Sequence, residues 1–237
     1  MLRPRREVGQ ARRSRVWFCS CVSSQKWAAV WSAVHEERRA LSADLASEPT
    51  HRWAEQSLCP GWDIHDVVAH LIDAAKTTRV GFVRRLIAAR FDFDRDNAVG
   101  VARERRASPE ETLAEFDRVV GETKTPPAPP ATRLVEAIVH GEDVRRPLGL
   151  HREYPIAHVV TALRYQLKTS VSMGGGRERA QGFCLVAVDS DFSSGTGLEV
   201  RGNALTLLLA VSGRSLEAGE LLGTGAPAFM EKLATRD

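Results

Sequence analysis

The chain has 237 residues, of which 43% are hydrophobic and 27% are charged. This composition is typical of a soluble globular protein and excludes a disordered or fibrous one. No uninterrupted apolar stretch approaches the ~20 residues that a helix needs to cross a bilayer, so we expect no membrane partner. The formal net charge of +3 is small.

The N-terminal arm, residues 1–25, differs in composition from the rest. Its first fifteen residues hold six arginines and one glutamate, so the remainder of the chain is slightly acidic. The arm could act as a basic tail, but the body lacks a basic signature, and we predict no nucleic-acid partner. The apolar run Val16–Val22 is too short, and too poor in cleavage signals, for a secretory leader. We predict an extension that is disordered or results from a start codon assigned too early.

Cysteine usage indicates the cellular compartment. The four cysteines form no regular disulfide framework, and a chain of this length does not need disulfides for stability. They are Cys19, Cys21, Cys59 and Cys184. We therefore predict a cytoplasmic location.

The first half of the chain predicts helices. Residues from Trp27 to about Ala46 have apolar positions at helical spacing, and the next helix is capped by Asp63, with Asp66 favourable to its dipole. The pattern continues to about Arg90, which predicts one long second helix followed by a polar connection over residues 92–107.

Two further helices follow that connection. Ser108, Pro109 and the two glutamates after them are a helix-start signature, and the third helix extends to about Gly121. A polyproline-like connector over residues 124–130 leads to the fourth helix, which Pro147 and Gly149 end. Four helices joined by polar connections predict a bundle.

Beyond Gly149 the pattern changes to short mixed elements. We predict a helix at about 156–171, a glycine turn at 174–176, strands at 183–188 and 198–200 around a loop at 189–197, and a buried helix at 203–211. The predicted fold is mainly α with a small α+β part. The predicted units are the extension 1–25, the bundle 26–150 and the α+β domain 151–237.

Three side chains are candidates for a metal site. Glu136 and His140 are four residues apart on the fourth predicted helix, so both project from one face. His70 has a similar position, at the margin of an apolar stripe on the second helix. If the two stripes face one core, two imidazoles and a carboxylate converge, a set that suits a catalytic divalent metal. The alternative is chance, because this spacing is common and a lone histidine is more often at the surface or in the core.

Three segments resemble the mycothiol-dependent maleylpyruvate isomerase family. They are SLCPGW at 57–62, DVVAHL at 66–71 and EAIVHGEDVRRPLG at 136–149, of which the last is the most specific. Residues 189–214 resemble the small domain that follows in such proteins. The resemblance extends from about Trp27 to the C-terminus, and the extension and the proline-rich connector depart from it.

The resemblance implies a DinB-like four-helix bundle followed by a small α+β domain. It also implies that His70, Glu136 and His140 hold a divalent metal, with zinc the expected ion. The implied cosubstrate is mycothiol, a low-molecular-weight thiol whose pKa a metal would lower.

Three arginines and a cysteine are further candidates for roles in the same site. An anionic substrate needs cationic partners, and Arg84, Arg201 and Arg214 are weak candidates, with surface solubility as the alternative. Cys59 lies in a turn without an obvious base, so we predict a small buried residue rather than a nucleophile. The remaining histidines have surface-like contexts: His35, His51, His65, His151 and His158.

The sequence thus predicts a metal- and mycothiol-dependent isomerase or thiol transferase that acts on a small electrophilic substrate. The alternative is a non-catalytic metal-binding module that acts as a sensor or interaction protein. An open, thiol-sized cleft beside the metal would favour the enzyme. We expect a monomer or weak homodimer.

Overall fold

The computed structural model describes the backbone of residues 13–235 and the side chains of residues 27–235. This part of the chain forms ten α-helices and one three-stranded sheet, which confirms the predicted mainly α fold with a small α+β part. The helices are α1 Arg13–Ser47, α2 Ile64–Lys76, α3 Arg79–Ala88, α4 Phe93–Glu104, α5 Pro109–Val119, α6 Ala131–Leu148, α7 Ile156–Gln166, α8 Arg177–Ala180, α9 Ala204–Val211 and α10 Ala226–Ala234. The strands are β1 Phe183–Ala187, β2 Ser193–Gly195 and β3 Leu198–Gly202. Within the described range, no helix is long and apolar enough to span a membrane.

Helices α1, α2, α5 and α6 pack against one another as the predicted bundle. Their shared core is aliphatic and aromatic, and each fully buried side chain of this kind contributes about 1.5–3 kcal/mol relative to exposure. Its larger members are Leu41, Leu45, Trp53, Ile64, Leu71, Ile72, Phe116 and Leu148. Packing of these apolar faces, rather than helix propensity, therefore stabilises this half of the protein.

The start of α2 is fixed by the predicted cap. The Asp63 carboxylate accepts a hydrogen bond from the Asp66 backbone N–H at 2.7 Å, and the Asp66 carboxylate accepts one from the Asp63 N–H at 3.3 Å. This reciprocal arrangement is a capping box. Arg105 donates to both carboxylates at 2.6 Å. The cap sets the position from which α2 carries His70 into the bundle.

The prediction of one long second helix was wrong. α2 ends at Lys76, because Thr77 is extended (φ −71°, ψ 115°) and the Thr78 hydroxyl accepts a hydrogen bond from the Gly81 N–H at 3.1 Å. A threonine side chain that bonds the backbone in this way starts a new helix instead of continuing the old one. The apolar periodicity passes through this break and conceals it.

The predicted polar connection over residues 92–107 was also wrong, since most of it forms α4. Arg90 and Phe91 adopt left-handed backbone (φ 59° and 63°), which reverses the chain between α3 and α4. Asp73 of α2 accepts hydrogen bonds from Arg85 of α3 at 2.8 Å and from Arg103 of α4. These ion pairs with the buried Asp73 carboxylate hold α3 and α4 against α2.

The C-terminal module is built on a sheet of order β2-β1-β3. β1 is antiparallel to β2 and parallel to β3, with Leu185 opposite Ser194 and Val200. β2 lies inside the segment 189–197, which was predicted to be a loop. The prediction was wrong because a strand of serine and glycine has no apolar alternation by which to recognise it. One core joins this module to α1 and α6. Among its members are Val34, Ile138, Leu163, Leu185, Leu208 and Phe229.

The predicted extension overlaps the described residues only in part. Residues 1–12 lie outside them, and residues 13–25 belong to the first turns of α1. The interpretation of residues 1–25 as an extension stays a prediction.

Gly176, in the predicted glycine turn, cannot accept a side chain without backbone movement. A Cβ there would lie 2.3 Å from the carbonyl oxygen of Val211 in α9. We expect Gly176→Ala to lower the free energy of unfolding by about 3 kcal/mol, the upper part of the usual cost of overpacking. Urea denaturation measures this effect. Gly121→Ala is the matched control, because a Cβ at Gly121 would meet nothing within 4 Å. Equal stability of the two variants would contradict the close approach of the Gly176 backbone to the carbonyl group of Val211.

Candidate functional site

A cavity of about 490 Å³ opens where α2, α4 and α6 meet the C-terminal module. Both parts of the chain contribute to its wall. It is lined by Cys59, Pro60, Trp62, His70, Asp94, Asn97, Val135, Val139, His140, Gln166, Gly174, Ser212 and Arg214. An adjoining cavity of about 560 Å³ shares His70 and His140 and adds Arg133 and Glu136. The two histidines thus lie in the wall between two spaces that a small molecule can occupy.

His70 and His140 are in direct contact, although 69 residues separate them in the chain. Their ring centroids are 4.8 Å apart and the planes are nearly perpendicular, at 73°. The indole of Trp62 packs on His70 from another side at 5.1 Å. The structure therefore brings His70 of α2 and His140 of α6 to one place.

His140 is oriented by a buried carboxylate. Its Nδ1 lies 2.8 Å from Oδ2 of Asp143, which is fully buried. Arg214 donates to both oxygens of Asp143, at 2.8 and 2.7 Å. Burial opposes ionisation of Asp143, but the hydrogen bonds from Arg214 and His140 outweigh it and hold its pKa below the ordinary value. Because Nδ1 is used in this way, Nε2 is the nitrogen that His140 can offer to a further partner.

His70 has a buried nitrogen with no partner. Its Nδ1 makes no hydrogen bond to the rest of the protein. Burial, and then the neighbouring His140 and Arg133, lower the pKa of His70 well below its usual value. The ring is therefore neutral at physiological pH, the form in which imidazole can bind a metal ion.

Glu136, the third predicted ligand, faces the adjoining cavity but is held by arginines. Its Oε2 lies 2.8 Å from Nη1 of Arg133, and its Oε1 lies 3.6 Å from Nη2 of Arg38. In the part of the chain that the structure describes, no three histidine, cysteine or acidic side chains are grouped to hold a metal ion. The histidine pair fits a divalent metal, because it combines an unpartnered buried nitrogen with a carboxylate-oriented ring. The predicted set of three ligands is not assembled.

The three candidate arginines have different surroundings. Arg214 lines the cavity, where it pairs with Asp143. Arg84 is exposed on α3, and Arg201 is exposed on β3, where it pairs with Glu199 at 3.4 Å. Neither of the latter two lines the cavities around the histidines.

Cys59 lines the cavity of about 490 Å³ but is a poor nucleophile. Burial raises the pKa of its thiol to about 11, in spite of the nearby Arg214. The thiol is therefore protonated at neutral pH, and the thiolate is the form that attacks. This agrees with the interpretation of Cys59 as a packing residue.

His65 corrects one sequence interpretation, since it is buried rather than at the surface. Its Nε2 lies 2.6 Å from the Thr112 hydroxyl, and its ring meets Trp53 edge-on at 5.6 Å. It packs between α2 and α5, on a different face of α2 from His70.

The sequence does not predict several residues that line the site. Asp94 and Asn97 lie in the predicted connection, and Gln166 and Ser212 belong to the C-terminal module, so only the tertiary fold brings them to the cavity. The pairing of Asp143 with His140 is predictable from the sequence, because Asp143 is three residues after His140 and thus on the same helix face.

Comparisons with known proteins bear out the family resemblance. Residues 34–125 match the family model described as Mycothiol maleylpyruvate isomerase N-terminal domain. The crystal structure of the mycothiol-dependent maleylpyruvate isomerase aligns with a TM-score of 0.55 at 16% identity, over 84% of this chain and 92% of that chain. A crystal structure of a histidine-to-alanine mutant of this isomerase aligns with a TM-score of 0.50 at 14% identity, over the same shares of both chains. At these identities the alignments show a common fold. No curated protein matches the sequence significantly.

Proposed function

We propose that this protein is a mycothiol-dependent enzyme, because residues 34–125 match the family model of the mycothiol maleylpyruvate isomerase N-terminal domain. It would isomerise a small electrophilic substrate or transfer the thiol to it. The observation that carries the proposal is the contact between His70 and His140 in the wall of a cavity of about 490 Å³. A cavity of this size accommodates a small ligand.

The proposed metal ligands are His70, His140 and Glu136, and zinc is the proposed ion. A bound divalent metal would supply the means to lower the pKa of a thiol and so provide thiolate at neutral pH. Support comes from the neutral ring of His70 with its unpartnered Nδ1, and from the Asp143 carboxylate behind His140. Glu136 would have to leave its arginine partners to complete the set.

The remaining residues support a reaction with an external thiol. Isomerisation about an activated double bond needs a nucleophile that adds and later departs. Of the two cysteines whose side chains the structure describes, Cys59 lines the cavity, and its pKa of about 11 makes it unsuitable at neutral pH. A low-molecular-weight thiol is therefore the better candidate for the nucleophile. Arg214, in this proposal, is a positioning residue that acts on His140 through Asp143.

One observation favours a second candidate, a non-catalytic metal-binding module that acts as a sensor or interaction protein. The ion pairs of Glu136 with Arg133 and Arg38 leave two rather than three side chains ready to bind an ion. Such a protein would bind metal weakly and accelerate no thiol reaction.

The assay that separates these functions uses purified protein with maleylpyruvate as the electrophile. We expect isomerisation that requires both mycothiol and zinc, and that stops when the zinc is removed by a chelator. Metal content is measured on the same samples by elemental analysis. Zinc-loaded protein that gives no thiol-dependent rate with maleylpyruvate or other electrophiles would refute the enzyme and favour the sensor.

A further inference from the structure

The cavity of about 560 Å³ beside the histidine pair has an apolar part of its wall. The side chains that form it come from two separate places, the connection of α3 to α4 and the end of α7 with the turn that follows. They are Phe91, Phe93, Tyr165, Val171 and Met173. His70 and His140 line the same cavity, so one ligand can contact the histidines and the apolar wall together.

Two of these side chains are exposed although they are large and apolar. Phe91 is 69% exposed and Met173 is 59% exposed. Their backbones are nonetheless fixed, since the Phe91 N–H donates to the carbonyl oxygen of Leu86 at 2.8 Å and the Met173 N–H donates to that of Ser170 at 3.0 Å. A single exposed apolar residue is ordinary, but two that line one cavity form a surface that a ligand can cover. Covering them is favourable, because it removes apolar area from water without reordering the chain.

The position of the Phe91 ring depends on an unfavourable backbone conformation. Arg90 and Phe91 both have left-handed dihedral angles, with φ of 59° and 63°. Residues with a Cβ adopt this region at a cost, and those that retain it are concentrated at active sites and ligand-binding sites. The two residues reverse the chain between α3 and α4, and Phe91 lines the cavity from this reversal. The fold therefore keeps a costly turn at the place where an exposed aromatic ring borders the site.

The charges on the same wall favour a neutral ligand group. Asp92 and Asp94 flank Phe93, line the cavity and are exposed. Their carboxylates repel an anionic group close to the aromatic rings. An uncharged apolar group instead covers Phe91 and Met173 and leaves both carboxylates in water. An aromatic group suits this wall best, because rings pack favourably on one another and on methionine sulfur.

We infer that the electrophile carries a neutral aromatic group, which binds against Phe91 and Met173 while its reactive carbon lies beside His70 and His140. This inference rests on the proposed function and specifies its substrate class. A cavity of about 560 Å³ lies within the range of roughly 300–1,000 Å³ that encloses ligands of drug size. It therefore has room for an aromatic group in addition to the reacting atoms.

The test measures binding without catalysis, with two neutral succinimides that share the ring of a maleimide but have no double bond to react with a thiol. N-phenylsuccinimide and N-methylsuccinimide are titrated into the full-length purified protein, and calorimetry measures Kd for each. We expect wild type to bind the phenyl compound at least about tenfold more tightly, because the added ring buries its own apolar area and that of Phe91 and Met173. Phe91→Ala and Met173→Ala should each reduce this preference by about threefold or more. Phe91→Tyr keeps an aromatic ring and should retain most of it.

Ile87→Ala is the matched control. Ile87 is 59% exposed, as Met173 is, and it belongs to α3, but it lines neither of the two cavities around the histidines. Its replacement should leave the preference for the phenyl compound unchanged. Thermal unfolding verifies that each variant folds, and midpoints close to that of wild type are expected because the replaced side chains are exposed. A wild type without the preference would overturn the inference. So would variants at Phe91 and Met173 that keep the preference, or an Ile87 variant that loses it to the same extent.

The corresponding maleimides distinguish this inference from the proposed function. Each has an activated double bond, to which a thiol adds its sulfur at one carbon and its proton at the other. Phe91-dependent binding of N-phenylsuccinimide by a protein that accelerates no thiol reaction would refute the enzyme and leave the apolar site standing. Accelerated thiol addition, with a kcat/KM ratio of N-phenylmaleimide to N-methylmaleimide that Phe91→Ala does not change, would refute the apolar site alone.

Discussion

Replacing His140 with alanine is expected to remove bound metal and to lower thiol-dependent kcat/KM by at least about 100-fold, because changes around a metal site already cost about 10- to 100-fold when they affect only the residues behind the ligands. His70→Ala should have the same effect, since the two rings are in contact, with centroids 4.8 Å apart. Elemental analysis and the mycothiol assay, run on the same preparations, check whether metal and activity fall together.

Two controls separate ligand loss from general damage. Cys59→Ala should keep both metal and activity, because the thiol is protonated at neutral pH, with a pKa of about 11. His51→Ala removes an exposed imidazole away from the cavity and should change neither quantity. Activity that survives the loss of both histidines, or that disappears only with Cys59, would show that the proposed mechanism is wrong.

The second large effect is expected at the ion pair behind His140. Asp143 is fully buried and binds both Arg214 and His140. Removing one partner of a buried pair leaves the other charge uncompensated, which costs about 3–5 kcal/mol. We therefore expect Arg214→Gln to lower the free energy of unfolding by about this amount, as measured by urea denaturation at neutral pH. The double variant Asp143→Asn/Arg214→Gln should recover a part of the loss, because neither charge remains.

The same pair predicts a dependence of stability on pH. The pKa of Asp143 is lower in the folded protein than in the unfolded chain. Its contribution to stability is thus complete above the unfolded value of about 3.9 and is lost as the pH falls through the lower folded value. Denaturation between about pH 5 and pH 2 should show a smaller decline for Asp143→Asn than for wild type. Parallel declines in the two proteins would argue against an ionised, buried Asp143.

Local sequence signals predicted features that depend on neighbouring residues. The capping box of Asp63 and Asp66, and the start of α5 after Ser108, were visible because each involves side chains within one helical turn. The apolar faces that form the bundle core were visible for the same reason, since helical periodicity shows which side of a helix is buried. Those faces allowed His70 and His140 to converge if both pointed to one core, whereas the chemistry assigned to the two histidines came from the family resemblance.

Tertiary structure decided what depends on contacts distant in sequence. The packing of α3 and α4 against α2 depends on ion pairs of the buried Asp73 with Arg85 and Arg103. The partners of Glu136 include Arg38 from α1, and the cavity wall includes Arg214 from the C-terminal module. Helical spacing determines the direction of a side chain relative to its own helix. It does not determine which charged group from another element pairs with that side chain. That choice is made only when the elements pack against each other.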